Sequence, residues 1–141
     1  MKKVVFICHG NMFRSQTAKA FYNKLAKDGS QAFSYGVSVE EQGHEGLKLS
    51  SFKGLNILFE VLKKFDLDIS DDTCEQLKEE YLIGVDNIVV MVEKEYIPEW
   101  LKKYEFEYWE IPNPEVHTIP VIEEIVELVK GKVEKLINEQ W

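Results

Sequence analysis

Val4-Val5-Phe6-Ile7 is an unbroken run of apolar, mostly β-branched residues, and it stops at Cys8-His9-Gly10-Asn11. A short run without polar alternation predicts a strand buried on both faces, the habit of a parallel sheet. From Ser15 the period changes: Ala18, Phe21, Tyr22 and Leu25 recur at helical spacing, and Asp28-Gly29 closes the segment. A buried strand that runs through a tight loop straight into a helix leaves few folds open to the chain.

The remainder continues the alternation. Phe33, Tyr35 and Val37 alternate with smaller or polar residues, as in a second strand. Leu47, Phe52, Leu55, Leu58, Phe59 and Leu62 fit an amphipathic helix of several turns, with Gly54 as its weak point. Ser70 to Thr73 offers N-cap residues for a short helix ending near Leu77. Asn87 to Val92 reads as another buried strand, and Pro98 opens a turn or two of helix ending at Tyr104. Phe106, Tyr108 and Ile111 suit a fourth strand. Ile122, Ile125, Val126, Val129, Val133, Leu136 and Ile137 mark one face of a long helix beginning near Pro120. This order predicts one α/β domain over residues 1–141, a four-stranded, mainly parallel sheet with helices on both faces. Trp100, Trp109 and Trp141 read as packing residues.

Bulk properties narrow the function. A length of 141 residues suffices for one ordinary core, and the longest apolar stretches are too short to span a bilayer. No small-residue cleavage site follows Lys2-Lys3 and its apolar run, so the expected setting is cytoplasmic, without a membrane partner. A net charge of −8 excludes general nucleic-acid binding but not one phosphate held locally. No Cys and His cluster has zinc spacing, so no metal is expected. In a reducing compartment, Cys8 and Cys74 read as one reactive and one structural thiol rather than a disulfide.

In an open parallel sheet a ligand sits beyond the carboxyl ends of the strands, so chemistry is expected in the loop Cys8 to Arg14. Amides at a helix start have no partners within the helix, and a glycine-containing loop turns further N–H groups inward as an anion nest. Gly10 and Asn11 tolerate the unusual backbone angles of such a turn. His9, Met12 and Phe13 complete the cradle. Arg14, six residues after Cys8, can fork onto two oxygens of a tetrahedral oxyanion. A cysteine at the base of such a cradle is expected to carry a stabilised, nucleophilic thiolate, with Ser15 donating a hydrogen bond to it.

The segment VVFICHGNMFRSQTAKAFYNKL resembles the low-molecular-weight protein tyrosine phosphatases, a family that also includes the thioredoxin-coupled arsenate reductases. Cys8, Gly10, Asn11, Arg14 and Ser15 match its Cys-x-Gly-Asn-x-x-Arg-Ser signature. Looser likeness extends through SYGV, DLDISDDTCEQL and DNIVVMVEKEY, covering nearly the whole chain. The resemblance implies Cys8 as a nucleophile forming phosphocysteine, Arg14 binding phosphate and stabilising the transition state, and Asn11 bracing the loop, with Ser15 supporting the thiolate. It implies no cofactor. The partners it implies are a phosphorylated protein or small phosphate ester, with inorganic phosphate as product or ligand.

The sequence departs from that pattern where the family carries the Asp-Pro that protonates the leaving oxygen. Here the segment is Ile111-Pro112-Asn113-Pro114, and an amide supplies no proton. Losing such help costs ~10²–10⁴-fold in rate. Asn113 is left as a substrate-binding residue, and Glu115 and His117 lie nearby as candidate replacements. Arg14-Ser15-Gln16 is closer to the reductases, yet the region VVMVEKEY lacks their two relay cysteines, which excludes a three-cysteine relay. Three readings remain: a phosphomonoesterase, a phosphate or phosphoprotein binding module, and an arsenate reductase using an external thiol.

Overall fold

The computed structural model describes residues 2–140. Strand β1 (Lys3–Cys8) leads into helix α1 (Arg14–Leu25), and β2 (Gln31–Gly36) returns alongside β1. Helix α2 (Asn56–Lys63), β3 (Asn87–Val90), β4 (Glu107–Tyr108) and helix α3 (Ile119–Gln140) follow. The sheet order is β2-β1-β3-β4, and every pairing is parallel. Its central strand β1 carries Val4 to Ile7, all completely buried, which explains their uninterrupted apolar run.

The alternating side chains of β1 divide the interior in two. Val4, Phe6 and Cys8 face α1, α2 and α3, packing with Phe21, Leu62 and Val129 among others. Val5 and Ile7 face the opposite way with Ile88 and Val90. That layer is closed by Leu77, Leu82 and Leu101, the last two from short 3₁₀ helices at Glu79–Leu82 and Glu99–Lys103. The carboxyl ends of β1 and β3 therefore open at one edge, where the loop after Cys8 lies.

Two expected helices turn out differently. Between Leu47 and Leu62 the α-helix is confined to α2, preceded by 3₁₀ turns at Leu49–Ser51 and Lys53–Leu55. Phe52 between them is extended (φ −104°, ψ 106°), and the Ser51 hydroxyl donates to Lys48 O at 2.6 Å, competing with helix formation. The stretch from Ser70 to Leu77 is not a helix, because its backbone amides bond elsewhere. Cys74 N donates to Leu47 O, Glu75 N to the Asn11 side chain and Leu77 N to Gly36 O. Asp68 Oδ1 accepts from both the Ser70 amide and its hydroxyl, so the first of the residues expected to cap a helix is held in a local turn instead. The fourth strand is also shorter than expected, with Ile111 buried beyond its end. Trp109 is buried and Trp100 packs against the second layer, as expected of packing residues, while Trp141 lies outside the described residues.

Candidate functional site

Cys8 is the last residue of β1, and its Sγ lies 2.9 Å from Ser15 Oγ in the first turn of α1. Phe13, the N-cap of that helix, has no side-chain acceptor for the amides that follow, so these donors remain open toward the loop. An anion held there also meets the positive end of the helix dipole. Met12 and Phe13 turn their side chains onto the first core layer, so what they can offer an oxyanion is backbone N–H. Gly10 lies under Gln42: a Cβ at Gly10 would stand 3.1 Å from Gln42 Oε1.

Asn11 braces the loop. It is completely buried in the left-handed region (φ 56°), and its Nδ2 donates to Ser15 Oγ at 2.9 Å and to Ser34 Oγ at 3.1 Å. Its Oδ1 accepts from Gln16 Nε2 at 3.1 Å and from Glu75 N at 2.9 Å. Gln16 also donates to Thr73 O, so the 70–77 strap and the loop are tied from both sides. Gly36 allows the close approach this needs, since a Cβ there would lie 2.8 Å from both Asn11 N and His9 O. Asn11→Ala leaves Ser34, Gln16 and the Glu75 amide without this partner and puts a Cβ-bearing residue of poor left-handed tolerance at the turn. The expected cost is about 3 kcal/mol, read as a fall in Tm on the order of 10 °C.

Arg14 is buried, and its Nη1 donates to Met91 O at 2.9 Å and, at 3.4 Å each, to Ile111 O and Glu93 Oε2. Its Nη2 donates to Glu93 Oε1 at 3.3 Å, so a carboxylate already engages part of the guanidinium fork. Burial acts to raise the Glu93 carboxyl, but its own backbone N–H, Arg14 and then His9 outweigh this and hold it below the usual carboxylate range. Glu93 is thus ionised and unsuited to giving up a proton at neutral pH. With the folded value below the unfolded one, its stabilising contribution is present above about pH 4.3 and lost as pH falls from there. Glu93→Gln is therefore expected to flatten the acid limb of a stability–pH profile, measured by denaturant unfolding below that pH.

A cleft of about 410 Å³ opens beside Arg14, walled by Met91, Glu93, Tyr108, Ile111 and Asn113 among others. The structure therefore brings Asn113 to the same cleft as Arg14. Glu115 and His117 are exposed and do not line it. His9, next to Cys8, lays its ring against Tyr96 with centroids 4.9 Å apart. Cys74 is completely buried, and burial first, then the charges of Cys8 and Glu45, push its thiol up to about 11. It stays protonated at neutral pH, in keeping with a structural thiol.

Glu93 has no part in the sequence reading, and Gln16 figures there only as a likeness to the reductases, not as a brace of the loop. A carboxylate just past the carboxyl end of β3 occupies the position where ligands meet a parallel sheet, which was a usable signal. Gln16 gave none, because its partners Asn11 and Thr73 come together only through the fold. Among the described residues no group of three or more His, Cys, Asp or Glu is placed to hold a metal ion, and no helix is long and apolar enough to cross a membrane.

Known proteins resemble this chain along nearly its whole length. The family model for low molecular weight phosphotyrosine protein phosphatase matches residues 3–140. A glutaredoxin arsenate reductase of Synechocystis sp. is 26% identical over 142 residues, covering 97% of each chain. The Vibrio vulnificus Wzb structure in complex with benzylphosphonate shares the fold, with a TM-score of 0.79, 20% identity and 98% of both chains covered. The low molecular weight protein tyrosine phosphatase from T. tengcongensis superposes with a TM-score of 0.71 at 26% identity, over 99% of both chains.

Proposed function

The chain belongs to the low molecular weight phosphotyrosine protein phosphatase family, and from that premise we propose that it is a cysteine-dependent phosphomonoester hydrolase. The observation that carries this reading is the Cys8 sulfur at the base of the loop, bonded to Ser15 and next to the uncapped amino end of α1. In the proposed reaction the Cys8 thiolate attacks phosphorus as the ester P–O bond breaks. Loop N–H groups and Arg14 hold the remaining oxygens, stabilising charge as it develops. Water then cleaves the phosphocysteine, returning the electron pair to sulfur and releasing inorganic phosphate. Ser15 supports the sulfur in both steps, as nucleophile and as leaving group. Asn113 can hydrogen-bond the ester but cannot protonate it, so esters with poor leaving groups need a proton from another group.

Two other readings each have one supporting observation. The likeness to the glutaredoxin arsenate reductase favours arsenate reduction with an external thiol or redoxin. The amide at Asn113 favours a module that binds phosphate or a phosphoprotein without turnover. Three assays on the purified chain separate them: a nitrophenyl phosphate without added thiol, titration with inorganic phosphate, and arsenate with a thiol. Sustained release of nitrophenol is the expected result. Phosphate binding without release favours the binding module, and thiol-dependent arsenite formation without release favours the reductase.

A further inference from the structure

The hydrolase reading leaves the proton on the leaving group without a source, and this inference rests on that reading. Of the candidates near position 113, Glu115 and His117 stand away from the Arg14 cleft, and Glu93 is tied to Arg14 as a carboxylate. Tyr108 lines the cleft but donates its hydroxyl to Val92 O at 2.9 Å.

His9 differs from all of these. It directly follows the Cys8 nucleophile, and its backbone is fixed, with His9 O accepting from Ser38 N at 3.0 Å. Its ring is held against Tyr96, in the 3₁₀ turn Lys94–Tyr96, and Lys94 of that turn helps to line the cleft that holds Arg14 and Asn113. The imidazole therefore sits where the phosphate loop meets the turn whose Lys94 reaches the cleft. Its Nδ1 is buried with no hydrogen-bond partner, which leaves Nε2 as the nitrogen able to meet a substrate. Histidine is also the side chain best suited to giving and taking a proton near neutral pH.

We propose that His9 is the proton donor to the leaving oxygen in this chain, taking the part that Asn113 cannot play. As the Cys8 S–P bond forms and the P–O bond breaks, the departing oxygen keeps the electron pair and takes the proton from His9 Nε2. In the second step water attacks phosphorus, the S–P bond breaks with its pair returning to Cys8, and neutral His9 takes the proton from water. The histidine is regenerated, and water is the only co-reactant.

The test is the dependence of rate on leaving group. Nitrophenol leaves without protonation, whereas phenol needs it, so a lost donor slows phenyl phosphate selectively. In His9→Gln the ratio of the nitrophenyl phosphate rate to the phenyl phosphate rate is expected to rise at least about tenfold over wild type, part of the ~10²–10⁴-fold that a general acid supplies. Adding Asn113→Asp to His9→Gln is expected to bring the ratio back toward the wild-type value. An unchanged ratio, with both rates falling together or neither falling, overturns the proposal and leaves His9 a positioning or packing residue. Inorganic phosphate binding checks that the variant is folded, and His9→Asn carries the same comparison if His9→Gln is not. If wild type fails to turn over nitrophenyl phosphate, the hydrolase reading itself falls, and this inference with it.

Discussion

Cys8→Ser is expected to lower turnover of a nitrophenyl phosphate by more than ~10⁴-fold while inorganic phosphate still binds. A serine hydroxyl at this position is un-ionised and has no base to activate it. Sulfur contributes little to holding the anion, which in this account rests on loop amides and on Arg14. The substitution exchanges one small buried atom for another, and the neighbouring Ser15 hydroxyl can bond to either. The fold should therefore survive, and unfolding and phosphate titration are the controls. A variant retaining a hundredth of the wild-type rate would show that something other than the Cys8 sulfur attacks phosphorus.

The second large effect is expected at Arg14. Arg14→Lys keeps a positive charge opposite Glu93 but loses the planar fork, which can meet two oxygens at once. A drop in kcat/KM of about 10³-fold is expected, the low end of what an arginine contributes to phosphoryl transfer. The loss should fall mainly on kcat, because the fork matters most as charge spreads over the transferring group. Arg14→Ala should lose activity and stability together, since it strands the half-buried Glu93 without its cation and leaves Met91 O and Ile111 O without this donor. Parallel measurements of kcat/KM and Tm on the two variants separate the effects. Equal Tm losses in both would mean that the ion pair with Glu93 contributes little to the fold.

How far these features were legible in the sequence depends on how local their causes are. The strand, loop and helix from Lys3 to Leu25 could be read directly, because the apolar run, the glycine-containing turn and the helical period all lie in neighbouring residues. The pairing of Cys8 with Ser15 is local in the same sense. The strap from Ser70 to Leu77 defies a local reading because Ser70 turns back onto Asp68, while the strap's amides serve Leu47, Asn11 and Gly36, all distant in the chain. No window of sequence holds both halves of those bonds. Asn113 stands out as the site's chemical gap only by resemblance, and the fold brings it to the cleft beside Arg14. Glu93 and the packing of His9 on Tyr96 emerge only where loops from β1 and β3 meet, so the local environment of the site had to come from the structure.

The central claim is that phosphorus passes through the Cys8 sulfur. The most direct measurement is a rapid denaturing quench during turnover of a nitrophenyl phosphate, followed by peptide mass analysis. The account predicts one phosphoryl group on the peptide containing Cys8, formed before steady state and absent from Cys8→Ser. Undiminished turnover with no phosphoryl group on that peptide would contradict it.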